Sequence, residues 1–230
     1  MHAYQDFREF LTVLEHEKQL LRITEPVGLE PDLAAAASAA TKLGNRSPAL
    51  YFDNVAGYSG ARIAMNIHGS WANHALALGM DKEASLQAQF FEFVRRYRMY
   101  PGELERVNSA PWQEVVVDKD INLFELLPLF RLNRGDGGFF IDKPCVISRD
   151  PDDWNNDNVE NVGVYRLQVK DRNHLGIQTV PQHDIALQLA HAEARGEDLP
   201  VAIALGNEPV ILLMAATPML YTHSSTRWPQ

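Results

Sequence analysis

Asn161-Val162-Gly163-Val164-Tyr165-Arg166-Leu167-Gln168 alternates two sets of side chains, and that alternation decides how the second half of the chain folds. Successive side chains of a strand point to opposite faces. Gly163, Tyr165 and Leu167 therefore share one face, and Val162, Val164, Arg166 and Gln168 the other. An arginine beside Val164 sits on a partly apolar surface and needs an anionic partner there. Read from the residues alone, the expected partner is a surface carboxylate, with a bound anion as the alternative. Asn161, at the strand start, offers a carbonyl oxygen, a hard ligand suited to Mg2+ or Mn2+.

Downstream, Gln178-Thr179-Val180-Pro181-Gln182-His183-Asp184-Ile185-Ala186 ends a hairpin at Pro181 and puts His183 where a helix begins. The macrodipole at that end favours neutral imidazole, the form that ligates a metal. The same place suits a residue that only caps the helix. His191 lies about two turns further along, too far to share an ion with His183. Around these segments, residues 112–117, 139–149, 161–169 and 174–180 read as strands, with Asp171-Arg172-Asn173 turning the last pair into a hairpin. A helix over 184–195 interrupts them before strands at 200–205 and 210–216. Residues 150–158 read as a polar, mobile loop.

The first half has helical spacing instead. Phe7, Phe10, Leu11 and Leu14 fall at i, i+3, i+4 and i+7 behind Asp6, a suitable N-cap. A strand at 20–24, a helix from Pro31 to Gly44, strands at 49–53 and 61–66, and helices at 70–78 and 82–98 follow. The poorly patterned stretch 101–111 marks a domain boundary. Gly135-Asp136-Gly137-Gly138 precedes a strand rather than a helix, so it reads as a turn and not a phosphate cradle. GxGxxG, GxxxxGK, HExxH and GxSxG are all absent from the chain.

With 230 residues, 46% of them apolar, the chain can bury a sizeable core. A net charge of −9, with no basic block beyond Arg95-Arg96, argues against a nucleic-acid surface. The single cysteine, Cys145, excludes an internal disulfide framework and fits a reducing compartment. No apolar run approaches the length of about eighteen residues that a membrane span needs. The Met1-His2-Ala3-Tyr4 start lacks a basic region before an apolar core. The expectation is a cytoplasmic protein with no nucleic-acid or membrane partner.

These segments together resemble the UbiD family of decarboxylases, and within it the vanillate/4-hydroxybenzoate (phenolic acid) decarboxylases. The resemblance is carried by Ala49-Leu50-Tyr51-Phe52-Asp53-Asn54, the run from Asn122 to Asn133, Asp136-Gly137-Gly138-Phe139, Asn161 to Arg166, His183-Asp184-Ile185-Ala186-Leu187 and Gly196-Glu197-Asp198-Leu199-Pro200. It covers the chain from near its start to about Tyr221. What it implies for the fold is an α+β protein: a small N-terminal α/β domain (1–110), then a split β-barrel of flavin-reductase type with a covering helix (111–221). A C-terminal domain follows in the family. The implied cofactors are prenylated FMN and Mn2+, with K+ as a second ion. Asn161 and His183 match two metal ligands, and Asn161, Val164, Tyr165, Arg166, Gln182 and His183 match cofactor contacts. Arg166 also matches the arginine that orients the substrate carboxylate. The implied reaction is the reversible non-oxidative decarboxylation of hydroxybenzoate-type acids, with the modified flavin as electron sink and a glutamic acid as proton donor. Implied partners are a flavin prenyltransferase as cofactor supplier, small companion subunits, and further copies of the chain in a homo-oligomer.

The last residues depart from that pattern. Family members follow the stretch matching Thr217 to Tyr221 with Ser-Glu-Tyr, whose glutamate is the third metal ligand; here Ser224-Ser225-Thr226-Arg227-Trp228-Pro229 stands instead. Codons TCG AGT ACG AGA TGG CCG encode that run, and restoring one G gives TCG GAG TAC GAG ATG GCC G, which encodes Ser-Glu-Tyr-Glu-Met-Ala. The expectation is a one-nucleotide frame shift near Ser224, an out-of-frame tail over 222–230, and little turnover by this polypeptide alone. A short natural variant with an unrelated tail is the alternative, and the gene's nucleotide sequence separates the two.

Overall fold

The computed structural model describes residues 4–99, 107–156 and 159–219. The fold is mixed α and β, as the alternating periods imply. It divides into two compact units: Met1–Arg95 with Leu127–Phe140 and Gly206–Val210, and Arg96–Leu126 with Ile141–Leu205 and Ile211–Gln230. The boundary stretch around Pro101 and the tail over 222–230 lie outside the described residues.

In the first unit, α1 (Phe7–His16) starts where Asp6 caps it, its Oδ1 accepting from the Glu9 amide at 2.8 Å. The apolar stripe then buries Phe10 and Leu14 completely. Strands β1 (Leu20–Ile23) and β2 (Ala49–Phe52) pair in parallel, and β3 (Ile63–Met65) adds antiparallel to β2. The parallel pair needs a crossover, which is α2 (Asp32–Thr41). Leu33 and Ala40 on α2 meet Leu50 and Phe52 on β2 in one apolar cluster, with Phe130 packed against it. Arg131 anchors that returning segment through its backbone amide and guanidinium fork on Glu30, the shortest contact being 2.7 Å. The guanidinium holds the Glu30 carboxyl below its usual range. Helices α3 (Trp71–Ala77) and α4 (Leu86–Tyr97) follow, and Ser70 caps α3 by accepting from the Asn73 amide at 3.2 Å. The glycine-rich run at 135–138 is a turn, stitched by reciprocal contacts between Asn133 and Asp136.

The second unit contains the short helix α5 (Leu123–Leu126) and most of the β structure. One sheet orders β6 (Glu160–Val164), β5 (Cys145–Arg149) and β9 (Val201–Ala204), antiparallel throughout with β5 central. Another orders β4 (Phe140–Ile141), β7 (Leu167–Val169) and β8 (Leu175–Ile177). The β7–β8 hairpin closes through the Asp171 turn, whose Oδ1 accepts from the Asn173 and His174 amides at 3.0 Å each. Helix α6 (Asp184–Arg195) lies against β5 and ends at Gly196, in the left-handed region at φ 70°.

Four expectations are corrected. Residues 161–169 are two strands in two sheets rather than one strand, and the chain changes sheet at Tyr165-Arg166. Strands that turn sheet corners break their alternation there, so the shared face of Val164 and Arg166 does not survive. The 139–149 run is likewise split, at Asp142-Lys143-Pro144, where proline supplies no N–H to a ladder. Residues 112–117 form no strand: a 3-10 turn covers Pro111–Gln113, and Val115 and Val116 are 79% and 76% exposed. Valines favour strands only when a neighbouring strand supplies the packing. The run over 210–216 is helix α7 (Pro209–Ala215). Its Leu, Met and Ala are good helix formers, Pro209 sits at its first position, and Glu208 accepts from the Val210 amide at 2.8 Å. Short apolar runs do not declare helix or strand by period alone.

Candidate functional site

Tyr165 is the point where the predicted residues meet. It follows directly on β6, with its ring folded back over Gly163 and buried with Val146, Leu167 and Ile185. Asn161, four residues earlier, donates from Nδ2 to the Tyr165 phenol oxygen at 3.5 Å. The same Nδ2 reaches the hydroxyl of Ser148 at 3.4 Å, its cross-strand partner in the β5–β6 register. Both contacts use the amide nitrogen, which leaves the carbonyl oxygen as the atom Asn161 can offer a cation. His183 approaches from the other direction, its ring 5.4 Å from the Tyr165 ring at 58°.

Val180-Pro181-Gln182-His183 is a turn closed by the His183 amide donating to the Val180 carbonyl at 2.9 Å. Proline at its second position presets the backbone for it. His183 is then the N-cap residue of α6, yet its imidazole makes no capping hydrogen bond. Its side chain is exposed, with Nδ1 at the long distance of 3.5 Å from the Val180 amide. Capping therefore does not account for the histidine. Gln182 sits exposed at the tip of the turn, and Val164 is half-buried opposite Cys145.

The electrostatics of this corner follow from burial. Burial raises the Tyr165 phenol above its ordinary range; the Asn161 contact opposes that, the Asp184 carboxylate adds to it, and a hydrogen bond from the Ile185 amide opposes it. The neutral hydroxyl is thus the stable form. Burial also raises the Asp184 carboxyl, against the opposing charge of His183.

Arg166 does not join the Asn161–Tyr165–His183 group. It is exposed, and its Nε donates to Asp142 Oδ1 at 2.6 Å. Of the two partners its position allowed, the surface carboxylate is present. Asp142 was not singled out in the sequence, because it lies 24 positions from Arg166 and carries no motif.

Sequence reading also missed a second polar group. Asp150, Asp152 and His191 bring their ligand atoms within 4.8 Å of one another. His191 Nδ1 lies 3.1 and 3.2 Å from the two Asp150 oxygens, and Arg195 stands 3.2 Å from Asp152. The arginine already supplies a cation to this group. Asp150 also caps the 3-10 turn Pro151–Asp153, and Arg149 donates to the Trp154 carbonyl at 3.0 Å. Residues 150–156 thus carry a 3-10 turn and several hydrogen bonds, and 157–158 lie outside the described residues. The aspartates were legible as a polar loop, but nothing in one dimension pairs them with a helix 41 residues on.

A hard oxygen donor and an imidazole set against one buried ring define a candidate divalent-cation centre. Comparison with known proteins identifies the family. Residues 11–92 match the 3-octaprenyl-4-hydroxybenzoate carboxy-lyase N-terminal domain, and residues 105–227 the Rift-related domain of the same family. The chain belongs to this carboxy-lyase family, UbiD. It is 58% identical over 222 residues to a phenolic acid decarboxylase of Bacillus subtilis (strain 168), covering 96% of this chain and 47% of that protein. The closed form of Sedimentibacter hydroxybenzoicus vanillic acid decarboxylase superposes with a TM-score of 0.95 at 48% identity, covering 99% of this chain and 48% of that one. An evolved dimeric form of the UbiD-class enzyme HmfF from Pelotomaculum thermopropionicum, in complex with prFMN, gives 0.84 at 27% identity over 97% and 49%. The chain spans about half the length of the relatives it matches. Among the described residues, no helix is long and apolar enough to cross a membrane.

Proposed function

We propose that this chain supplies the flavin-phosphate and metal-binding part of a decarboxylase acting on hydroxybenzoate-type aromatic acids such as vanillate and 4-hydroxybenzoate. The observation that carries the reading is the meeting of Asn161 and His183 on Tyr165. The donor set fits Mn2+ in kind: an amide oxygen and a neutral imidazole are both acceptable to it.

Prenylated FMN, when bound, supplies the electron sink for loss of CO2. This chain's residues do the holding and orienting. Asn161 and His183 would hold the cation, Val164 and Gln182 would border the cofactor, and Tyr165, its phenol raised by burial, would stay protonated as a neutral wall of the site. Arg166 offers a planar guanidinium to the substrate carboxylate, and Asp142 keeps that guanidinium oriented and partly neutralised while the site is empty. Substrate binding then exchanges one carboxylate partner of this exposed arginine for another. Companion subunits fit the reading, since the Sedimentibacter enzyme is solved with a ShVdcD component.

The test is purification after co-expression with a flavin prenyltransferase. The expected result is flavin-like absorbance retained by the chain and Mn2+ binding lost in Asn161→Ala and His183→Ala, with CO2 release from 4-hydroxybenzoate as the activity readout. Absorbance without CO2 release favours a non-catalytic module that binds flavin phosphate or docks to a longer homologue. A colourless protein whose Mn2+ affinity ignores both substitutions ends the proposal.

A further inference from the structure

Gly163 lies inside β6 with an ordinary strand φ, so it is not there to adopt a left-handed backbone. Its requirement is space. A Cβ at this position would stand 2.3 Å from Cε2, 2.6 Å from Cζ and 2.7 Å from the hydroxyl oxygen of Tyr165. All three atoms belong to one edge of the ring. That edge cannot move aside cheaply, because the ring is rigid and packed among Val146, Leu167 and Ile185. The ring therefore lies flat on the strand only because residue 163 has no side chain.

The folded-back ring touches both proposed metal donors. Its hydroxyl is 3.5 Å from Asn161 Nδ2 and accepts from the Ile185 amide at the start of α6. Its ring centroid is 5.4 Å from that of the His183 imidazole, the two rings tilted by 58°. Asn161 and Gly163 sit at i and i+2 on one face of β6, and Tyr165, the first residue beyond the strand, folds its ring back over Gly163, so the order along the chain is donor, gap, ring. Ser148 holds the Asn161 amide from the neighbouring strand.

We infer that Gly163 and Tyr165 act as one positioning device, in which the missing side chain at 163 lets the Tyr165 ring set the separation and orientation of Asn161 and His183. Neither residue ligates the cation. This rests on the reading that Asn161 and His183 hold Mn2+, and it adds that the pair is prearranged by a residue contacting both. Groups that orient metal ligands typically change affinity by about 10–100-fold when removed.

The experiment is an Mn2+ titration of the full chain by electron paramagnetic resonance, with Gly163→Ala, Tyr165→Phe, Tyr165→Ala and the Gly163→Ala/Tyr165→Ala double variant. Gly163→Ala and Tyr165→Ala are each expected to weaken binding by about 10–100-fold. The double variant is expected to be no weaker than Tyr165→Ala, because alanine at 165 vacates the space that a Cβ at 163 would fill. Tyr165→Phe keeps the ring and loses the hydroxyl's contacts with Asn161 and the Ile185 amide, so it falls between wild type and Tyr165→Ala. Losses that multiply in the double variant, or wild-type affinity in Gly163→Ala, overturn the inference.

Asn161→Ala and His183→Ala are run beside these. If neither weakens Mn2+, the cation reading fails separately. The device is then judged by the ring-proton NMR shifts of His183, which sense the Tyr165 ring current. Shifts that move in Gly163→Ala keep the positioning role, and unmoved shifts remove it.

Discussion

The pair between His191 and Asp150 should give the second unit a pH-dependent stability, and His191→Gln isolates it. Asp150 is buried, with its side chain 7% exposed, whereas His191 is 41% exposed. The hydrogen bond to Asp150 is the main cause that raises the imidazole pKa; burial opposes it, and the charges of Asp150 and Asp152 add to it. Arg195, paired with Asp152, is the cation facing the same group. A folded pKa above the unfolded value of about 6.5 means that the protonated ring stabilises the fold fully below about pH 6.5. That contribution is lost as pH rises through the folded pKa. Glutamine keeps a neutral hydrogen bond, so the substitution removes only the charge-assisted share. Charged hydrogen bonds exceed neutral ones by about 1 kcal/mol, and exposure of the ring discounts this to about 0.5–1 kcal/mol. For a chain of this size that is about 1–4 °C in Tm. Thermal melts of both proteins from pH 5.5 to 9 should show the wild-type advantage at the acid end and its disappearance at the alkaline end. A gap that is constant with pH, or larger at pH 9, refutes the ionic reading. The consequence reaches the site, since α6 carries His191 in its last half and follows directly from His183.

Gly196→Ala should cost about 1–2 kcal/mol, because residue 196 sits at φ 70° and an added Cβ would meet nothing within 4 Å, leaving only the left-handed backbone penalty; urea unfolding reads it, and an unchanged midpoint contradicts it. Val116→Lys should leave stability within about ±0.5 kcal/mol, because the side chain is 76% exposed. It should also slow aggregation, which light scattering at rising protein concentration measures; a clear stability loss would mean that the 112–117 run packs on something after all.

Local chemistry determined what could be read in one dimension. Asp6 with its i, i+3, i+4, i+7 stripe marks α1, Asp171-Arg172-Asn173 marks the hairpin, and the span from Asp184 to Gly196 marks α6 with its stop. In each the decisive partners lie within a few residues, so a short window contains the whole energetic argument. Asn161 and His183 could be named for the same reason, since donor type and position along an element are local properties, whereas Tyr165 is marked only by the family resemblance.

Tertiary structure decided everything that depends on a distant partner. It put Ser148 across from Asn161, gave Arg166 to Asp142, and joined Asp150 to His191. Among the described residues it left 112–117 without a neighbouring strand, and it wound 209–215 into a helix. Above all it turned the chain between two sheets at Tyr165, since a strand's direction is set by the sheets that receive it and not by its own alternation.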